Sequence, residues 1–175
     1  MKRSELEHLI RASGEIAADN EIIIIGSQAI LGQFPDAPVQ LLLSMEAGVY
    51  PKNHPDKADK IDSAIGEGSL FHEMNGYYAQ GVGKKTALLP ADWEGRLVAV
   101  SNENTNGVTG YCLEIHDLAI SKLIAMRPKD LEFSQELVRH NLIDKKTLLR
   151  RLKQTDIENS IRRIAQVRIN SFFKS

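Results

Sequence analysis

The 175-residue chain is 42% hydrophobic and carries 22 Lys and Arg against 23 Asp and Glu. That length suits one domain with its own core, and the apolar share excludes a disordered chain. The lone cysteine, Cys112, excludes an internal disulfide framework and fits a reducing, cytoplasmic setting, while the short apolar run Ile22–Ile25 and the polar opening MKRSELEHLI point away from a membrane span and a secretory leader.

The near-zero net charge hides an asymmetry. Positions 1–143 carry 13 basic and 20 acidic side chains, whereas positions 144–175 carry 9 and 3. The basic tail has two readings. It meets a polyanionic or acidic partner, or it is a solvated helix whose basic face neutralises the chain's own acidic body.

In chain order, apolar spacing predicts a helix over Ser4–Ala18, with Ser4 as its cap and Glu5 and Glu7 near its positive end. Glu21–Gly26, four isoleucines running into glycine, reads as a strand buried on both faces. Gly26-Ser27 opens into a short helix over Gln28–Leu31 that ends near Gly32, ahead of Pro35 and Pro38. Gln40–Met45 reads as a second apolar strand, Pro51–Asp56 as a loop, and Lys57–Ile65 as a helix with Ala58, Ile61, Ala64 and Ile65 available for burial. Gly66, Gly68 and Gly76 punctuate the path to a strand at Tyr77–Ala79. Arg96–Val100 and Tyr111–Ile115 are further strands, separated by a turn at Asn102–Gly107. From Asp117 the pattern is helical. Asp117 caps Leu118–Met126, Pro128 restarts the run into Lys129–His140, and Asp144 caps Lys145–Gln154. Asp156 opens a last helix striped by Ile157, Ile161, Ile164 and Ala165. The layout is α/β (α+β), strands with interleaved helices followed by a helical end.

Three features share a chemical logic. Gly26-Ser27 follows a buried strand and starts a helix, where glycine admits close approach of a ligand and N–H groups, a hydroxyl and the helix dipole favour an anion. The same pair also serves simply to turn the chain. Glu46 follows the second apolar stretch, and a carboxylate beside a phosphate-holding turn suits Mg²⁺, though a strand-end glutamate is ordinarily just solvated. Lys122 interrupts the apolar run Leu118–Met126 and either snorkels to water or faces an anion, while Asp130 sits where a carboxylate favours a helix start. His54, His72, His116 and His140 lack zinc-site spacing.

The order of IIIIGSQAILGQFPDAP, LLLSMEAGVYP, FHEMNGYYAQGV and LEIHDLAISKLIAMRPKDLEF resembles the DNA polymerase β-like nucleotidyltransferase superfamily, and within it the AbiEii-type toxin branch of type IV toxin–antitoxin systems and related bacterial proteins. The resemblance covers roughly residues 21 to 140, and SKLIAMRPKD is its most specific stretch. It implies a mixed sheet flanked by helices over residues 1–140, with residues 141–175 as a basic helical extension packed on it. It also implies that Gly26 and Ser27 hold a nucleoside triphosphate, that Glu46 is the first metal-binding acid, that Lys122 contacts phosphates, and that Asp130 is the late catalytic aspartate. With Mg²⁺, such an enzyme moves a nucleoside monophosphate onto an RNA, tRNA first among them, or onto a protein side chain; in the toxin branch an antitoxin protein is a partner.

One departure stands out. The paired-acid motif places carboxylates at alternate positions, so that both point to one face of the strand and share the metal. Two residues after Glu46 stands Gly48. The alternatives are an active metal-dependent nucleotidyltransferase that recruits a second acid elsewhere, with Glu114 the nearest substitute, or an impaired module of the same fold that binds nucleotide, RNA or a partner protein. Both require Ser27, Glu46, Lys122 and Asp130 to gather around one hollow.

Overall fold

A computed structural model describes residues 1–174. Helix α1 (Arg3–Ala17) leads into strand β1 (Glu21–Ile24), and a 3-10 turn (Ser27–Ala29) runs into the single turn α2 (Ile30–Gln33). Strand β2 (Glu46–Pro51), helices α3 (Ala58–Ile65) and α4 (Leu70–Asn75), and strands β3 (Tyr78–Gly81), β4 (Val98–Val100) and β5 (Thr109–Cys112) follow. The chain ends in α5 (Ile115–Ala125), α6 (Pro128–Arg139), α7 (Lys145–Lys153) and α8 (Asn159–Phe172). The expected mixed α/β architecture with helices at the C-terminal end is what the chain adopts.

The five strands form one mixed sheet in the order β3-β2-β1-β5-β4. β1 lies at its centre, antiparallel to β2 and parallel to β5; β2 runs parallel to β3 and β5 antiparallel to β4. Alternation along the strands separates two faces. Ile22, Ile24, Val49, Gly110 and Cys112 share one face, in register across the sheet. Gly110 and Gly32 have no Cβ because Ile10 of α1 and the Cys112 side chain occupy that space at 2.4 and 2.5 Å respectively. The helices α1, α2 and α3 therefore cover this face. Glu46, Gly48, Tyr50, Ile23, Ile25 and Tyr111 lie on the other, crossed by the 82–97 segment. Helices α5, α7 and α8 pack on one another.

Several expectations are corrected. Gln40–Met45 is not a strand: Val39–Leu41 forms a 3-10 turn, Leu43 is 76% exposed, and pairing starts only at Glu46. A leucine run makes a strand only where neighbours complete its ladder. Residues from Glu46 onward find β1 on one side and β3 on the other. Helix α4 was not expected. Ser69 caps it by accepting from the His72 amide, and Gly76 closes it with φ +76°. Ser4 is inside the first turn of α1, where the Glu5 carboxylate instead accepts the Lys2 amide at 2.6 Å. Asp117 caps nothing: Glu114 caps α5, accepting from the amides of His116 and Asp117. Asp156 lies ahead of α8, which starts at Asn159 and buries Ala165 and Ile169 while Ile164 is exposed. The Asp144 cap of α7 is present, accepting from Thr147 at 2.8 Å.

Part of the basic tail is committed inward. Asp117 is fully buried and receives two hydrogen bonds from Arg96, at 2.8 and 3.1 Å, with Arg151 of α7 at 3.3 Å. Arg162 donates to the carbonyls of Leu152, Thr155 and Ile157. Lys146, Arg150, Lys153 and Arg163 are exposed. No helix among the described residues is long and apolar enough to cross a membrane.

Candidate functional site: a cationic hollow at the end of the central strand

β1 delivers the chain to Gly26, whose φ of +97° and ψ of 176° belong to a region that L side chains avoid. The turn brings Gly26 beside Gly48 of β2, whose amide nitrogen would lie 3.6 Å from a Cβ on Gly26. Ile25 N–H donates to the Gly48 carbonyl at 2.9 Å and locks the two strand ends together. A hollow of about 460 Å³ opens here, lined by Gly26, Ser27, Glu46, Gly48, Lys122, Arg127 and Lys129, with Ser44, Gln80, Thr86 and Ser121 on its walls. Four of the five residues singled out in the sequence thus meet at one place. The helical stretch after Ser27 is only a 3-10 turn and one α turn. The dipole expected there is correspondingly small, and the positive charge at the hollow comes from side chains instead.

Asp130 stands behind the hollow rather than in its lining. Met126, with φ +61°, turns the chain sharply between α5 and α6. The last turn of α5 therefore faces the first turn of α6. Lys122 Nζ donates to Asp130 Oδ1 at 2.9 Å, and Arg127 Nε donates to Asp130 Oδ2 at 2.6 Å. Asp130 is wholly buried and Lys122 is 7% exposed. Burial opposes ionisation of Asp130, yet the hydrogen bonds and charges of Arg127 and Lys122 outweigh it and hold its carboxyl below the usual aspartate range. Burial also pulls Lys122 below the ordinary lysine range, against Asp130. Asp130 is therefore a positioning carboxylate. It fixes Lys122 from beneath and ties down Arg127, whose side chain is 57% exposed at the rim.

Glu46, the first residue of β2, is the one carboxylate lining the hollow among the described residues. The Tyr78 hydroxyl donates to its Oε2 at 3.4 Å, and its charge reaches Arg127. The same-face position two residues on is Gly48, and Gln80 stands opposite Gly48 on β3. Neither brings a second acid. Glu114 caps α5, pairs with the His116 ring at 2.8 Å, and does not line the hollow. Among the described residues no three His, Cys, Asp or Glu side chains are grouped to hold a metal. One lining carboxylate beside three cations, two of which share Asp130 as counter-ion, does not fit a pair of Mg²⁺ ions, which calls for several oxygen ligands of excess negative charge. What the arrangement does fit is a polyanion.

Sequence reasoning missed Arg127 and Lys129, although both flank Pro128 inside the most specific motif. The left-handed turn at Met126 aims them, and no local pattern announced it. Neither the curated proteins nor the solved structures yield a match. A family model does match residues 4–174, and on that match the chain belongs to the family described as "Nucleotidyltransferase of unknown function (DUF6036)".

Proposed function

We propose that the hollow binds the polyphosphate of a nucleoside triphosphate, and that this member of the family is impaired in the transfer step. The observation that supports the reading is the composition of the hollow. Lys122, Arg127 and Lys129 converge on the Gly26-Ser27 turn, while Gly48 leaves Glu46 without a second acid. Backbone N–H groups and a hydroxyl at the turn suit phosphate oxygens, and Lys129, joined by Lys122 and Arg127 that share Asp130 as counter-ion, offsets part of their charge without a metal pair. Phosphoryl-type transfer relies on positioning and on charge stabilisation at both the entering and leaving oxygens. Lys122 and the Gly26-Ser27 turn are present to position phosphates, and the second acid that the resemblance calls for is replaced by Gly48.

Calorimetric titration with inorganic tripolyphosphate and with each of the four nucleoside triphosphates, with and without Mg²⁺, tests binding. Saturable binding that Mg²⁺ does not strengthen, weakened about tenfold or more by Lys129→Glu, is the expected result; the size follows from losing one charge-assisted contact. No binding by any triphosphate overturns the reading. Incubation with labelled triphosphates, total RNA and total protein tests the second reading, active transfer to RNA or protein as in the AbiEii-type toxins. That reading is favoured by the Glu46 carboxylate in the hollow and by the exposed cations Lys146, Arg150, Lys153 and Arg163 in the last two helices. Label transferred by the unmodified chain with Mg²⁺ establishes it and removes the claim of impairment.

A further inference from the structure

Between β3 and β4 the chain crosses the open face of the sheet, and it is pinned at both ends of its first half. Gly81 presses on α3, where a Cβ would meet the Ala58 carbonyl oxygen at 2.0 Å. Val82 N–H then donates to the Val49 carbonyl at 2.9 Å. Further on, Pro90 bridges to Thr155 and Ala91 N–H donates to the Gln154 carbonyl at 2.9 Å. Arg96 donates to the Ala91 carbonyl at 2.9 Å and to the buried Asp117 carboxylate.

Residues 83–88 lie between these pins and are held by little. Among the described residues their one backbone hydrogen bond is internal, from Thr86 N–H to the Gly83 carbonyl at 2.9 Å. Their one ion pair, Lys84 with Glu94 at 3.3 Å, is made within the same crossing segment, and both side chains are more than half exposed. An exposed pair of this kind contributes little. A stretch with few buried contacts and few hydrogen bonds opens locally at far lower cost than the whole chain.

This stretch borders the cationic hollow. Thr86, Ala87 and Leu88 line it. Leu88 is nevertheless 49% exposed, so that side of the hollow is not packed down. Lys85, adjacent to Thr86, is exposed and makes no ion pair among the described residues. The hollow itself is short of positive charge for a polyphosphate. Lys122, Arg127 and Lys129 stand against Glu46 in the lining and Asp130 behind it, which leaves an excess of one positive charge. A chain of phosphates carries several negative charges. A further cation at the rim would restore the balance, and Lys85 is an unpaired ammonium on the least restrained border of the hollow.

We propose that residues 83–88 are a flap that closes over a polyphosphate in the cationic hollow, and that Lys85 is the cation it delivers. Closure rests on the phosphate reading given above and adds a binding residue that stands outside the hollow in the free chain. It requires rotation only at the few backbone angles between Val82 and Pro90, while both pins stay in place.

The experiment is hydrogen–deuterium exchange of the full chain with and without saturating inorganic tripolyphosphate, read on the peptide that spans residues 83–88 and paired with calorimetry. Tripolyphosphate is expected to slow exchange in this peptide about tenfold or more and to leave α3 unchanged. Lys85→Gln is expected to weaken tripolyphosphate about tenfold, the loss of one charge-assisted contact, and to remove most of the protection. Lys60→Gln takes an exposed cation from α3 and is expected to leave the affinity within about twofold. Tripolyphosphate binding with unchanged exchange at 83–88 overturns the flap alone. Protection that survives Lys85→Gln at full affinity, or equal weakening by Lys60→Gln, overturns the assignment to Lys85. Absence of tripolyphosphate binding overturns the phosphate reading and the flap with it.

Discussion

Lys122 and Asp130, eight residues apart on different helices, meet at 2.9 Å in the interior, with the ammonium 7% exposed and the carboxylate fully buried. A single-partner deletion here leaves an uncompensated buried charge. Asp130→Ala is expected to cost about 3–5 kcal/mol. Lys122→Met is expected to cost clearly less, because Arg127 still holds Asp130 at 2.6 Å. Urea unfolding of both variants checks this ordering, and equal losses would contradict the geometry.

Acid sensitivity follows from the same carboxylate. The folded-state pKa of Asp130 lies below the ordinary 3.8 because its two cations outweigh burial. The unfolded chain therefore binds the proton more readily. The stabilisation is complete above the unfolded value and is lost as pH falls through the lower folded one. Glu7, held by Asn104, Asn102 and Arg3 against burial, and Asp19, held by Asn53 and three backbone amides, are lowered in the same direction. Unfolding free energy measured against pH is expected to fall below about pH 4, the region set by the aspartate reference. The slope should be shallower in Asp130→Asn.

Gly48 is a vacancy that chemistry can fill. A Cβ there would meet Ile25 Cγ1 at 3.6 Å and Val82 Cγ1 at 3.8 Å, both ordinary contacts. Gly48→Asp is therefore expected to fold, and it places a second carboxylate on the same face as Glu46. In this variant Mg²⁺ is expected to strengthen triphosphate binding about tenfold or more, the effect of completing a two-carboxylate set. Calorimetry with and without Mg²⁺ reads it, and an Mg²⁺-indifferent variant would show that the two side chains do not converge.

Gly26 and Gly48 face each other but tolerate change differently. Gly26→Ala forces a Cβ onto a backbone at φ +97° and is expected to cost on the order of 1–3 kcal/mol. Gly48→Ala meets only ordinary contacts and should fall well short of that. Thermal melting of the two alanine variants side by side decides the matter.

Cys112 is completely buried against Gly32, and burial pushes its thiol up to about 12. A buried neutral thiol is a poor nucleophile. Labelling by a thiol reagent is expected to proceed only as fast as the chain opens, and to become rapid in denaturant. Prompt labelling under native conditions would contradict this placement.

The sequence alone determined what local rules govern. The isoleucine run of β1, the Gly26-Ser27 turn, α3 with its apolar stripe, the Asp144 cap and the helical C-terminal part were all legible, because periodicity and capping act within a few residues. The sequence also singled out Glu46 and Lys122, which line one hollow, and Gly48 two positions after Glu46. Tertiary structure decided where β2 begins, since a strand exists only where neighbours pair with it, and Leu43 had none. It also decided that Asp117, a plausible cap by its spelling, is a buried counter-ion for Arg96 and Arg151. Asp130 became a support for Lys122, and Arg127 and Lys129 became lining, because one left-handed residue at Met126 folds α6 back over α5. Long-range placement of charge depends on which elements pack together, and packing is a property of the whole chain.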